Sequence, residues 1–216
     1  MIDNDVINFL KENKEYYPEY FINDRLSKVK YGYTCDVNQI YCYLNKIPIK
    51  NTDYYKLVQI INDHFNLKNM NILEVACGYI PILSGIIKEN YNTKNTAINN
   101  KILINNYKNV STIEYDLFKP FNLSDYDLII GFRPCAITEN IILECFYYKK
   151  DFLIYLCPCD NEPLNKCNYN SKTWTYKKWH NYIISLIKNN KNYNTKIIKN
   201  HELEDDCPII IAKYKR

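Results

Sequence analysis

The strongest constraint on how this 216-residue chain folds is the stretch 71–87, NILEVACGYIPILSGII, in which a short apolar run containing Glu74 breaks at Gly78 and passes directly into a second apolar segment. The first run is too short for a free-standing helix and reads as a buried strand. Pro81 suits the first turn of the helix that follows, where a missing N–H costs nothing. A strand, a tight loop and a helix start in this order aim bare backbone N–H groups at whatever lies beyond the strand. A carboxylate ahead of the turn can accept hydrogen bonds from ligand donors, so the expected ligand is nucleoside-like.

Downstream the pattern repeats. Apolar runs at 72–75, 96–98, 112–115, 128–130 and 152–156 alternate with helices expected at 82–89, 101–107, 138–148 and 177–188, which predicts a parallel sheet. Residues 195–201 and 208–214 read as two further strands joined by the acidic turn 202–206. Upstream, Val6, Ile7, Phe9 and Leu10 mark one amphipathic helix, and Tyr54, Leu57, Val58, Ile60 and Ile61 another, with Asn51 or Thr52 as its cap. Tyr31-Gly32-Tyr33 and Ile47-Pro48-Ile49 punctuate the region between them. The chain therefore divides into a helical cap, 1–69, and an α/β domain, 70–216.

Glu74, Ala76, Gly78 and Ile80 occupy the positions of the Glu/Asp-x-Gly-x-Gly-x-Gly motif, keeping the middle glycine, and here the chain resembles the class I S-adenosylmethionine-dependent methyltransferases. That resemblance implies a seven-stranded Rossmann-like sheet with a C-terminal antiparallel hairpin, an N-terminal helical extension over the cofactor or substrate entrance, and S-adenosylmethionine as cofactor. By the same resemblance, Glu74, Ala76, Cys77, Gly78, Tyr79, Ile80 and Pro81 form the cofactor loop. Asn99 and Asn100 stand where the family places an acid on the ribose hydroxyls; otherwise they simply end a strand and open a helix. Asp116, with Leu117 and Phe118, matches the adenine-binding position, or else is a turn residue before Lys119-Pro120. Gly131 and Phe132 belong to the fourth motif, where backbone approaches the sulfonium, with Arg133 placed to orient a substrate phosphate or carboxylate.

Pro134-Cys135 at this strand end resembles the Pro-Cys of cytosine-5 methyltransferases, whose thiolate attacks the ring, and Cys157-Pro158-Cys159 offers a second thiol after the next strand. A structural or pocket-lining cysteine is the alternative. Residues 128–160 also resemble a methyltransferase branch that includes a tRNA ribose methyltransferase and glutathione-transferase-like proteins. Arg133-Pro134-Cys135-Ala136-Ile137-Thr138-Glu139 and Pro158-Cys159-Asp160 echo its His-x-Cys-Gly-x-Ala-Thr-Asp and Pro-Cys-Cys motifs, which implies RNA as acceptor. Cys157, Cys159, Cys167 and His180 supply four zinc-ligand types, but their spacing fits structural zinc motifs poorly, and no metal is expected.

The formal charge of +4 is mild, yet no acid stands between Glu162 and Glu202. Lys166, Lys172, Lys177, Lys178, Lys188, Lys191, Lys196 and Lys199 fall there, interleaved with Trp174, Tyr176, Trp179 and His180, as on a surface that attracts phosphates and stacks bases. Trp174, Lys177, Lys178 and His180 are thus the expected substrate contacts. A strongly AT-biased coding sequence would also enrich Lys, Asn, Ile and Tyr. No apolar run reaches the length of a membrane span, and nine irregularly spaced cysteines read as reduced thiols, so the expected location is the cytoplasm.

Overall fold

The computed structural model describes residues 4–13, 17–27, 36–48, 52–163, 174–199, 203 and 207–216. Outside these lie Tyr31-Gly32-Tyr33, Ile49, Asn51, Lys166, Cys167, Lys172 and the acidic residues Glu202, Glu204, Asp205 and Asp206 of the expected turn. Helices α1 (Asn4–Glu12), α2 (Glu19–Ser27), α3 (Asp36–Leu44) and α4 (Asp53–His64) come first. Strands and helices then alternate: β1 (Asn71–Val75), α5 (Ile82–Asn90), β2 (Lys94–Asn99), β3 (Val110–Glu114), β4 (Leu128–Phe132), α6 (Thr138–Tyr147) and β5 (Asp151–Tyr155). Helix α7 (Tyr176–Asn189) precedes the closing strands β6 (Tyr193–Ile198) and β7 (Ile209–Tyr214).

The strands form one sheet in the order β3-β2-β1-β4-β5-β7-β6. The first five are parallel, and β7 runs antiparallel to both β5 and β6. Central strands carry helices on both faces, which is why β4 is an unbroken buried run rather than an alternating one. Successive side chains of β1 enter opposite cores. Ile72 joins Leu10, Ile22, Ile40, Leu57 and Ile82 from the N-terminal helices and α5. Leu73 joins Ile141 of α6 and Trp179, Ile183 and Ile187 of α7 on the other face. Residues of α1 to α4 therefore share a hydrophobic core with the sheet itself. Among the described residues, no helix is long and apolar enough to cross a membrane.

One expected helix is absent. Residues 101–107 are irregular because tertiary partners take their backbone donors. The N–H groups of Leu103 and Ile104 both donate to the Tyr79 carbonyl, at 3.0 and 3.1 Å, and Ile102 N–H donates to the Glu114 carboxylate at 2.9 Å. A seven-residue segment containing Asn105 and Asn106 has little helix propensity to set against these bonds. Its Tyr107 ring rests on α5 at Gly85, where an added Cβ would come within 2.3 Å of the ring.

Candidate active site

At the carboxyl ends of β1, β2 and β4, where strand order reverses about β1, lies a cavity of about 280 Å³. Crevices at such switch points are the usual ligand sites of open α/β sheets. Ala76 and Gly78 line it after β1, Asn99 and Asn100 at β2, Asp116, Leu117 and Phe118 after β3, and residues 133–137 after β4. Three of these non-glycine residues have left-handed backbone: Ala76 (φ 60°), Arg133 (φ 53°) and Cys135 (φ 50°). Each such residue costs roughly 1–2 kcal/mol, and strain of this kind concentrates where backbone is shaped around a ligand. Sequence gives no sign of it, since none of the three is glycine or asparagine.

The loop after β1 is held from beneath. Gln39 of α3 accepts from Tyr79 N–H at 2.8 Å and Ile80 N–H at 3.3 Å through Oε1, and its Nε2 donates to the Cys77 carbonyl at 3.0 Å and to Tyr54 Oη at 2.9 Å. Gly78 (φ 73°) is required twice, because an added Cβ would also stand 2.4 Å from Gln39 Oε1. The donors expected to be bare at Tyr79 and Ile80 are therefore taken by protein. Tyr79 and Ile80 are buried, and the Tyr79 hydroxyl meets that of Tyr17 at 2.7 Å. Gln39 carried no sequence signal, because a glutamine on a short amphipathic helix is ordinary.

Glu74 is fully buried and turned toward α5, not toward the cavity. Its Oε2 accepts from Ser84 N–H at 2.8 Å, in the first turn of a helix whose cap position, Pro81, has no side-chain acceptor to offer. Burial raises its pKa to about 7 against hydrogen bonds from Ser84 and Leu83 that lower it. The unfolded chain ionises Glu74 near 4.5 while the folded chain holds the proton to about 7, so folding loses stability as pH rises between those values. Glu74→Gln, which keeps an acceptor for Ser84, is expected to remove this slope. It should raise stability at pH 8 by an amount on the order of 3 kcal/mol and leave it unchanged at pH 4, as read by urea unfolding across that range.

Asn99 does line the cavity. Both amide protons are committed, Nδ2 donating to the carbonyls of Gly78 at 3.1 Å and Lys101 at 2.8 Å, which leaves Oδ1 as the atom it can offer to a hydroxyl. Asp116 accepts from Phe118 N–H at 3.1 Å in an Asx turn and lies 3.6 Å from Lys119 Nζ, so the turn and the cavity-facing position coexist. Phe118 remains 59% exposed over the cavity mouth. Gly131 is buried, and an added Cβ would meet Pro134 at 3.4 Å and Ile154 at 3.7 Å. Phe132 is buried and stacks on Tyr54 at 4.0 Å between centroids.

Arg133 is not the exposed phosphate ligand expected. Its side chain is largely covered, with the guanidinium 3.6 Å from Asp53 of α4 and lying over the rings of Phe132 and Tyr155 at 5.3 and 5.1 Å. Its charge is thus matched from within, and it ties the N-terminal helices to the cavity wall. Beside it the thiols of Cys135, Cys157 and Cys159 converge, all within 4.8 Å of one another. Hydrogen bonds with Cys157 and Cys159, and burial, push the Cys135 thiol well above its ordinary range. Cys157 is lowered by Cys135 but carried up to about 12 by Cys159 and burial. Protonated thiols are poor nucleophiles, so nothing in this geometry activates Cys135 for ring attack.

The aromatic-basic segment is divided by helix periodicity. Trp179 and His180 face inward, Trp179 within the core and His180 Nε2 2.8 Å from the Cys157 carbonyl oxygen, which removes both from the expected base-stacking surface and His180 from the zinc set. Trp174 is half-buried, with Lys178 Nζ 4.4 Å above its ring, and Lys177 is exposed. Lys178 and Lys188 sit at opposite ends of α7, about 15 Å apart along its axis at 1.5 Å per residue, so these two do not share one patch.

No protein-family model matches the sequence, and no curated protein does. Solved structures do. The plantazolicin methyltransferase BpumL, in complex with a desmethylplantazolicin analogue and S-adenosylhomocysteine, is similar at TM-score 0.52 and 12% identity over 100% of this chain and 97% of that one. Geranyl diphosphate C-methyltransferase from Streptomyces coelicolor matches at TM-score 0.49 and 7% identity, over 75% and 79%. A provisionally assigned ribosomal RNA methyltransferase from Plasmodium falciparum matches at TM-score 0.46 and 17% identity, over 74% and 94%. Strand order, the closing antiparallel pair and the likeness to BpumL together give this chain the Rossmann-like fold of the class I S-adenosylmethionine-dependent methyltransferases.

Proposed function

We propose that this protein is a methyltransferase that binds S-adenosylmethionine in the cavity at the ends of β1, β2 and β4, with RNA as its acceptor. The observation that carries the reading is the pairing of Asn99 Oδ1 with Asp116 and Phe118 across that one cavity. Asn99 would accept from a ribose hydroxyl, Asp116 from the adenine amino group, and Leu117, Phe118 and Ile137 would cover the ring. Bound there, the cofactor supplies a methyl group on an already electrophilic sulfonium, so alignment and exclusion of water are what the protein must add. The strained backbone at Ala76, Arg133 and Cys135 shapes the wall between methyl group and acceptor.

RNA draws support from Lys177, Lys178 and Trp174 at the start of α7 and from the echo of the tRNA-methylating branch in residues 128–160. A cytoplasmic location belongs to the same reading. Calorimetry tests its first step: parent protein should bind S-adenosylmethionine and S-adenosylhomocysteine. Asn99→Asp, which turns a carboxylate oxygen toward the Gly78 and Lys101 carbonyls, should bind at least about 10-fold more weakly although it restores the family's usual acid. Transfer of labelled methyl to total RNA but not to a metabolite extract would then select RNA over a small-molecule acceptor. A second reading is an adaptor that keeps the fold without catalysis. Its support is Gln39, which occupies loop donors, and the inward turn of Glu74. Absence of binding to either nucleoside by folded protein would favour it.

A further inference from the structure

Beyond methyl transfer, we propose that Cys135, Cys157 and Cys159 form a three-thiolate site for a thiophilic divalent cation, of which Zn²⁺ is the probe of choice. Two parallel neighbours, β4 and β5, are in register at Phe132 and Tyr155, so the chain segments that leave their ends start side by side. After β4, Cys135 is set by left-handed backbone (φ 50°) and a 3-10 turn over Cys135–Ile137. After β5, Pro158 bends the chain so that Cys157 and Cys159 present their sulfurs to one point, 2.6 Å apart. All three sulfurs fall within 4.8 Å of each other. Tetrahedral zinc with Zn–S of about 2.3 Å sets sulfur atoms about 3.8 Å apart, so an ion taken up here would open the Cys157–Cys159 pair from 2.6 Å.

The surroundings suit metal-bound thiolates. His180, hydrogen-bonded at 2.8 Å to the Cys157 carbonyl, fixes the backbone that carries the ligand. Tetrahedral coordination needs a fourth donor. Cys135 lines the cavity, so the open position faces that space, where water or a substrate group completes the shell. Cys157 is buried and Cys135 and Cys159 are half-buried, leaving an entry path from the cavity side. The sequence weighed Cys157 and Cys159 with Cys167 and His180 and expected no metal; among the described residues the cluster instead joins Cys157 and Cys159 to Cys135, 22 residues upstream of Cys157 and adjacent only through strand pairing, while Cys167 lies outside the described residues.

The test uses the full chain, purified without chelator and without any nucleoside cofactor, so that it is independent of the methyltransferase reading. Elemental analysis is expected to find close to one zinc per chain, and cobalt substitution to give near-ultraviolet thiolate-to-cobalt charge-transfer bands with tetrahedral d–d absorption. Cys135→Ser and Cys159→Ser should each weaken zinc binding on the order of 100-fold in competition with a chromophoric chelator. Folded parent protein that takes up neither ion, or a Cys157–Cys159 disulfide found by peptide mapping, would overturn the proposal. So would a Cys135→Ser protein that keeps parental affinity. Because the cobalt spectrum is read on the parent chain, the proposal stays testable even where a variant fails to fold.

Discussion

Asp53→Asn is expected to destabilise the protein by about 3–5 kcal/mol, measured by urea unfolding at pH 7, because it removes the buried carboxylate charge matched to a largely covered guanidinium. Asp53 is 1% exposed, and its carboxylate lies 3.6 Å from Arg133, itself held between Phe132 and Tyr155 with an N–H donated to the Tyr155 hydroxyl at 3.4 Å. The carboxylate side of the pair is sealed from solvent, so little water compensates there for the lost charge. Replacing both partners removes the unpaired charge as well, so Asp53→Asn with Arg133→Met should cost less than either single change, and the double-mutant cycle should give a coupling of more than 1 kcal/mol. A single-variant cost below 1 kcal/mol would show the pair to be solvated. The consequence is functional as well as structural, since Arg133 lines the cavity and α4 carries Asp53.

Gly78→Ala carries two penalties at once. A non-glycine residue at φ 73° costs roughly 1–2 kcal/mol, and its Cβ would stand 2.4 Å from Gln39 Oε1, forcing that amide off the N–H groups of Tyr79 and Ile80. Each buried donor left unpaired adds about 1–3 kcal/mol. The expected total exceeds 3 kcal/mol, with the proposed binding of S-adenosylmethionine lost in parallel because Gly78 lines the cavity. Gln39→Ala removes the clash but also the acceptor. The double variant should therefore be less damaged than the sum of the singles, and strict additivity would show that Gln39 and Gly78 do not act on one another.

The alternation of strands and helices was legible because it rests on local periodicity. The strands at 128–130 and 152–156 and the helix at 138–148 are found within a residue or two of their expected ends as β4, β5 and α6. The hairpin of β6 and β7 was equally plain, two β-rich runs separated by polar residues. Failures occurred where a segment's own preference was weak and a distant group competed for its backbone, as in 101–107, whose donors turn to Tyr79 and Glu114. Among candidate site residues, Asn99, Asp116 and Phe118 reach the cavity because they follow strand ends, a position that motif spacing encodes. Glu74 and His180 do not, because the direction of a side chain depends on which face of an element a neighbour covers.

By itself, then, the sequence determined the strands and most helices of residues 70–216, the class of sheet they build, and the strand ends at which a ligand site would open. Hydrophobic periodicity and turn residues act over a few positions, and one chain is enough to read them. Only the tertiary structure decided that Gln39 holds the Gly78 loop, that Asp53 neutralises Arg133, and that Cys135 meets Cys157 and Cys159. Those contacts join residues separated by tens of positions, and their energies arise from burial and strand pairing that no local pattern contains.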